Sequence, residues 1–202
     1  MMRERRPGAR TLLSNRAPEL RGLSTRSESG LDLGEDSKSR FWRDVILAKE
    51  ECTSEKAKRL YDYWDGRRQG RKMPSRRDID PTDIWPLLPN IHMSDWFTNP
   101  DRIRYRLAGT ELVASIGREI SGRWLAEFHT DPNDLNETLS LYRKVAAVKE
   151  PIFGSTIATN LRVGVDRFEW VLCPLAENGD EVTNFIGLED YVSQRRYLGG
   201  TS

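Results

Sequence analysis

Ile103–Thr110, IRYRLAGT, is the stretch from which the fold is read. Ile103, Tyr105 and Leu107 alternate with Arg102, Arg104 and Arg106, and a period of two puts the apolar set on one face of a strand and the arginines on the other. Asn99-Pro100-Asp101, just before it, is turn chemistry, and Ile91–Phe97 alternates well enough for a partner strand, so a hairpin is expected. After Gly109-Thr110 the period changes, and ELVASIG and GRWLAEF read as short helical pieces. Asp131-Pro132 with Asp134 places a cap, a first-turn proline and an acid at a helix start, and Leu135, Leu139, Tyr142, Val145 and Val148 then repeat at helical spacing until Pro151. Three more strands are expected over 152–161, 167–175 and 182–190, with Asn178-Gly179 as a hairpin signal between the last two. Two strands, a run of helices and three strands make a small α+β domain on one antiparallel sheet.

Upstream, residues 1–40 are rich in Arg, Ser, Gly and Glu without periodicity and are expected to be a disordered tail, as is the short segment 193–202. Residues 41–90 are expected to form a helical extension followed by a basic, Pro-rich connection, ahead of a core over 91–192. Phe41, Trp42, Val45 and Ile46 suggest one amphipathic helix, and Ala57, Leu60, Tyr61 and Trp64, at i, i+3, i+4, i+7, a second, capped by Thr53 or Ser54 and stopped by Gly66. Either this chain or a partner must cover their apolar face.

The 202 residues carry 32 basic and 31 acidic side chains, so no global field points to DNA or to a membrane surface. No apolar run approaches the roughly 18 residues that cross a bilayer, and Cys52 and Cys173 lack metal-ligand spacing, which together suggest a cytoplasmic protein. No nucleotide-loop, zinc-protease or nucleophile-elbow pattern is present, and neither His92 nor His129 has a partner at a diagnostic spacing, so no catalytic or metal residues are assigned. Glu50-Glu51 and Glu189-Asp190 read as solvated ends of elements.

YWDGRR (63–68), MPSRRDIDP (73–81), LLP (87–89), YRLAGTELV (105–113), GREISGRWLAEF (117–128) and FEWVLCPL (168–175) together resemble the PAS superfamily, and within it the short bacterial family PAS_5. The resemblance implies a five-stranded antiparallel sheet with helices on one face, used for sensing, dimerisation and signal relay. It implies no particular ligand, and no cofactor is expected: a haem would need an axial histidine, for which His129 is a weak candidate, and no cysteine lies in a helical segment as flavin photochemistry requires. With no output module in the 202 residues, signalling is expected to pass through a homodimer or through a regulatory protein such as a sensor kinase.

Ligands in this fold lie between sheet and helices, which makes Tyr105, Leu107, Trp124, Phe128, Tyr142, Phe153, Phe168, Trp170 and Leu172 the candidate lining of a small-molecule cavity, with a filled aromatic core as the alternative. The second candidate is the basic loop. Arg67, Arg68, Arg71, Arg76 and Arg77, with Lys72, could bind an acidic partner or, as in a cyclic-dinucleotide receptor, a phosphate, although Asp78, Asp80 and Asp83 stand ready to neutralise them.

Overall fold

A computed structural model describes residues 42–129, 131–158 and 167–191. The expected tails, Phe41 and the last three residues of the strand expected over 152–161 lie outside these. Six strands form one sheet: β1 (Trp42–Leu47), β2 (Ile91–Phe97), β3 (Arg102–Ala108), β4 (Ile152–Ala158), β5 (Arg167–Leu175) and β6 (Asn184–Tyr191). Their order is β1-β4-β5-β6-β2-β3, and every neighbouring pair is antiparallel. The helices are α1 (Glu55–Arg68), α2 (Thr110–Ile116) and α3 (Pro132–Val148), with 3₁₀ segments at Arg76–Asp78, Pro81–Asn90 and Leu125–Phe128.

The antiparallel α+β architecture matches the expectation, with a sixth strand added. Trp42–Leu47 is a strand where a helix was expected. A short run with Val45 and Ile46 fits either period, and pairing along β4, from Trp42 opposite Ala158 to Leu47 opposite Phe153, decides it. The helices also cover both faces of the sheet rather than one. Ala57, Leu60 and Trp64 of α1 and Ile79, Ile84 and Leu87 of the connection pack on the face formed by Phe153, Val171, Cys173, Ile186 and Leu188. Tyr142 and Val145 of α3, with Leu125, pack on the opposite face against Trp170, Leu172 and Phe185. The connection is therefore part of the core, tied to β5 by a 3.0 Å hydrogen bond from the Ala176 amide to the Pro74 carbonyl.

Helix α1 starts where a cap was expected, with the Ser54 hydroxyl accepting from the Ala57 amide at 3.1 Å. It runs through Gly66 and ends at Gln69, which has positive φ. A mid-helix glycine costs only about 1 kcal/mol, less than the burial of Leu60 and Trp64 returns. The strongest tie of α1 to the sheet is Glu169 of β5. Its carboxylate is 4% exposed and accepts from the amides of Thr53 and Ser54, both at 2.7 Å, from the Thr53 hydroxyl at 3.0 Å and from the Cys52 thiol at 3.4 Å. Beside it, Asp190 of β6 accepts from the Ser54 hydroxyl at 2.8 Å and Lys56 at 2.9 Å.

Truncating Glu169 leaves the buried Ser54 amide and the part-buried Thr53 amide without an acceptor, so Glu169→Ala is expected to cost about 3 kcal/mol in urea denaturation and Glu169→Gln less; a loss below about 0.5 kcal/mol would show that the helix start holds without it. Trp64 is fully buried, its indole donating to the Pro174 carbonyl at 2.7 Å, whereas Trp85 is 71% exposed. Trp64→Ala is expected to cost about 3–5 kcal/mol and Trp85→Ala less than about 0.5 kcal/mol in the same assay.

Candidate functional site

Strand alternation decides which side chains meet above the sheet. On β5 and β6, Phe168, Trp170 and Leu172 share a face with Phe185, Gly187, Glu189 and Tyr191. On β2 and β3, His92, Ser94 and Trp96 share it with Ile103 and Tyr105, and on β1 and β4, Asp44 shares it with Gly154 and Thr156. Beneath α3 and the Leu125–Phe128 turn these strands leave a cavity of about 150 Å³.

Two glycines make its floor. A Cβ on Gly154 would stand 2.2 Å from the Trp170 ring, and one on Gly187 would stand 2.2 Å from Nε2 of His92, so only glycine lets both rings lie on the sheet. Trp170 Nε1 then donates to the Thr156 hydroxyl at 2.8 Å, and that hydroxyl donates to the carboxylate of Asp44 at the exposed mouth. His92 is 5% exposed and packs edge-on against Tyr105, ring centroids 5.6 Å apart. Its Nδ1 has no hydrogen-bond partner among the described residues. Burial pushes its pKa down to about 4, so the ring is neutral at physiological pH. Glu189 accepts from the Tyr191 hydroxyl. Desolvation, reinforced by the Asp44 charge and opposed by that hydrogen bond, raises its pKa to about 7.

Of the nine side chains expected to line a cavity, Tyr105, Phe128, Tyr142, Phe168, Trp170 and Leu172 surround this one. Leu107, Trp124 and Phe153 do not. A bulge between Met93 and Ser94 takes the pairing from Leu107 to Tyr105, so Arg106 is the extra residue and Leu107 turns to the Met93 face, where it is 44% exposed. Phe153 alternates with Ile152 and Gly154 and meets Tyr61 of α1 on the other face, centroids 5.6 Å apart. Trp124 lies along the outer edge of β3, bridged to Arg104 and packed on Phe97, while backbone bonds from Tyr105 to Arg123 and from Gly122 to Tyr105 cover that edge. His92, Glu189 and Asp44 were missed. Glu189 and His92 stand in phase with Phe185 and Trp96 on their strands, a charged or polar residue at a buried register position, and that phase was the available signal.

The basic loop does not gather its arginines at one point. Arg67 pairs with Asp83, Arg68 with Asp65 at 3.2 Å and Glu150 at 3.3 Å, Arg71 with Asp78 at 2.8 Å, and the highly exposed Arg77 with Glu177 at 3.9 Å. Arg76 lies apart on a groove between the 3₁₀ segment Pro81–Asn90 and β3. Each paired guanidinium is held by a different carboxylate, so a phosphate would have to displace several ion pairs at once. No group of His, Cys, Asp and Glu among the described residues is arranged to hold a metal.

Glu189 titrates in the folded protein near 7 instead of its ordinary value near 4.5. The folded state therefore holds this proton more tightly, and its stability falls as pH rises from 4.5 through 7. Glu189→Gln removes the charge, and its stability relative to the natural protein is expected to rise by about 1–3 kcal/mol between pH 4.5 and pH 8. Chemical denaturation at the two pH values reads the difference, and an unchanged gap would mean that the carboxylate is not desolvated.

The family model PAS_5, a PAS domain, matches residues 52–189, which span all six stretches on which the resemblance was read. The fold is similar to that of the PAS domain of BvgS from Bordetella pertussis, with 20% sequence identity and a TM-score of 0.43 over 59% of this chain and 92% of that one. No curated protein matches the chain. With the family model covering well over half of its length, this chain belongs to the PAS_5 family of PAS domains.

Proposed function

We propose that this PAS domain is a non-catalytic bacterial sensor in the cytoplasm, which binds a small molecule between the sheet and α3 and passes its occupancy to a protein partner. The observation that carries this is the cavity itself, aromatic on its walls yet carrying carboxylates, with a buried imidazole nitrogen that has no partner among the described residues. A domain that serves only as an adaptor gains by filling such a space, because each unpaired buried polar atom costs about 1–3 kcal/mol. At about 150 Å³ the cavity matches a molecule the size of one aromatic ring, well below the roughly 300–1,000 Å³ of pockets that enclose drug-sized ligands.

The relay is short. Trp170 and Glu189 are opposed across β5 and β6 and face the cavity, while the next pair, Glu169 and Asp190, faces away and holds the start of α1. A ligand that shifts the first pair moves the second. It changes signalling only if it binds the two arrangements with different affinity. The apolar stripe of α1 is already covered by its own sheet, so partner contact falls to the edge strand β1, where Val45, Ile46 and the adjacent Ile157 of β4 are each more than 40% exposed. The partner is a second copy or a regulatory protein such as a sensor kinase. Among the described residues no helix is long and apolar enough to cross a membrane.

Native mass spectrometry of the purified chain, followed by denaturation of the same sample, is expected to show a reproducible extra mass that is released on unfolding. A bare dimer that no metabolite extract stabilises against heat would instead favour an adaptor without a ligand.

A further inference from the structure

We propose that the cavity is built for a small organic ammonium ion, with the amine at the Glu189 end and the carbon skeleton against the aromatic walls. This rests on the sensor role proposed above and names the chemical class of its ligand.

Two of the polar groups facing the cavity can only accept once ionised, and they stand among the hydroxyls of Tyr105, Tyr142, Tyr191, Thr138 and Thr156. Glu189 and Asp44 are carboxylates, and His92 is a neutral imidazole whose Nδ1 lacks a partner among the described residues. Among the described residues no lysine or arginine lines the space. A carboxylate or phosphate ligand would meet these two carboxylates, and repulsion of that kind costs more as water is excluded. An ammonium brings a positive charge to these carboxylates and an N–H donor to the unpaired imidazole nitrogen. The walls suit it as well: the aromatic side chains of Trp170, Tyr105, Tyr142 and Phe168 line the space, and such rings attract a desolvated cation, as Phe128 already does with Arg118, 4.3 Å from its ring centroid.

The groups around Glu189 predict how binding depends on pH. Asp44 approaches from β1, Tyr191 from β6 itself, Tyr105 from β3, Tyr142 from α3 and His92 from β2, with His129 beside Asp44 at the mouth. Burial raises the pKa of all three tyrosines, so they stay protonated, and His92 stays neutral above about pH 4. Glu189, with a pKa of about 7, is the carboxylate that gains its charge between pH 6 and pH 8. Binding of an ammonium should therefore tighten about tenfold from pH 6 to pH 8, as the charged fraction of Glu189 rises by that factor.

Three probes of one shape separate the possibilities on the full chain: 2-phenylethylamine, ethylbenzene and 3-phenylpropanoate. By thermal shift at pH 8 the amine is expected to stabilise most, the hydrocarbon weakly and the acid not at all. Calorimetry with the amine should show the tenfold gain between pH 6 and pH 8. In Glu189→Gln, checked for folding by circular dichroism, the amine should bind at least tenfold more weakly without pH dependence while ethylbenzene binds as before, and Asp44→Asn should cost less because that group is at the mouth. If ethylbenzene or the acid stabilises and the amine does not, or if Glu189→Gln binds the amine undiminished, the cavity stands and the ammonium assignment is wrong. If none of the three binds, the cavity does not take ligands and the sensor role fails with it.

Discussion

The domain depends on one carboxylate reaching out of the sheet. Glu169 sits on central strand β5, on the face opposite the cavity, and takes up the first free amides of α1 along with a hydroxyl and a thiol from the same turn. A helix start exposes unpaired N–H groups and a partial positive charge, so a buried anion there is both paired and electrostatically favoured. This fixes where α1 begins, and its length then sets which residues meet the sheet. With its start held, Leu60 and Trp64 fall over Val171 and Cys173, and the connection after the helix has to return across Ile79, Ile84 and Leu87 to begin β2 beside β6. The second layer of the domain follows from that contact.

Because β5 and β6 are both covered on two sides, neighbouring residues on them report to different places. Glu169 and Asp190 hold a helix, while Trp170 and Glu189, one residue away on each strand, wall a cavity. In a sheet the backbone links these faces over a single peptide unit, so a displacement on one side has no slack in which to dissipate before it reaches the other. The geometry gives a physical path from the cavity to α1 without any long chain of intermediaries.

Much of this was legible in the sequence, and the parts that were not share a cause. The cap at Ser54, the start of α3 at Asp131 and the strands from Arg102 onward follow from capping chemistry and period alone. Six of the nine aromatic and apolar candidates meet around the cavity because alternation is a local property. Leu107 went to the other face because the bulge at Arg106 reverses the phase, and nothing in RIRYRLA marks where the extra residue falls. Trp42–Leu47 became a strand through its pairing with β4, more than a hundred residues away in sequence, which no local window contains. Glu189 and His92 escaped notice for the opposite reason. Their phase was visible, but a glutamate beside an aspartate near a strand end is usually solvated, and only the layer formed by α3 makes that position a half-buried one.

That layer also explains why these groups are worth attention as function rather than as packing. A leucine at 189 and a larger residue at 187 would close the space, and core positions of this kind are ordinarily apolar. Instead Gly187 and Gly154 leave room for the rings of His92 and Trp170, and the imidazole and the Glu189 carboxylate line the cavity. A molecule bound against these groups would add to the stability of the fold by mass action, by an amount set by its concentration relative to its Kd.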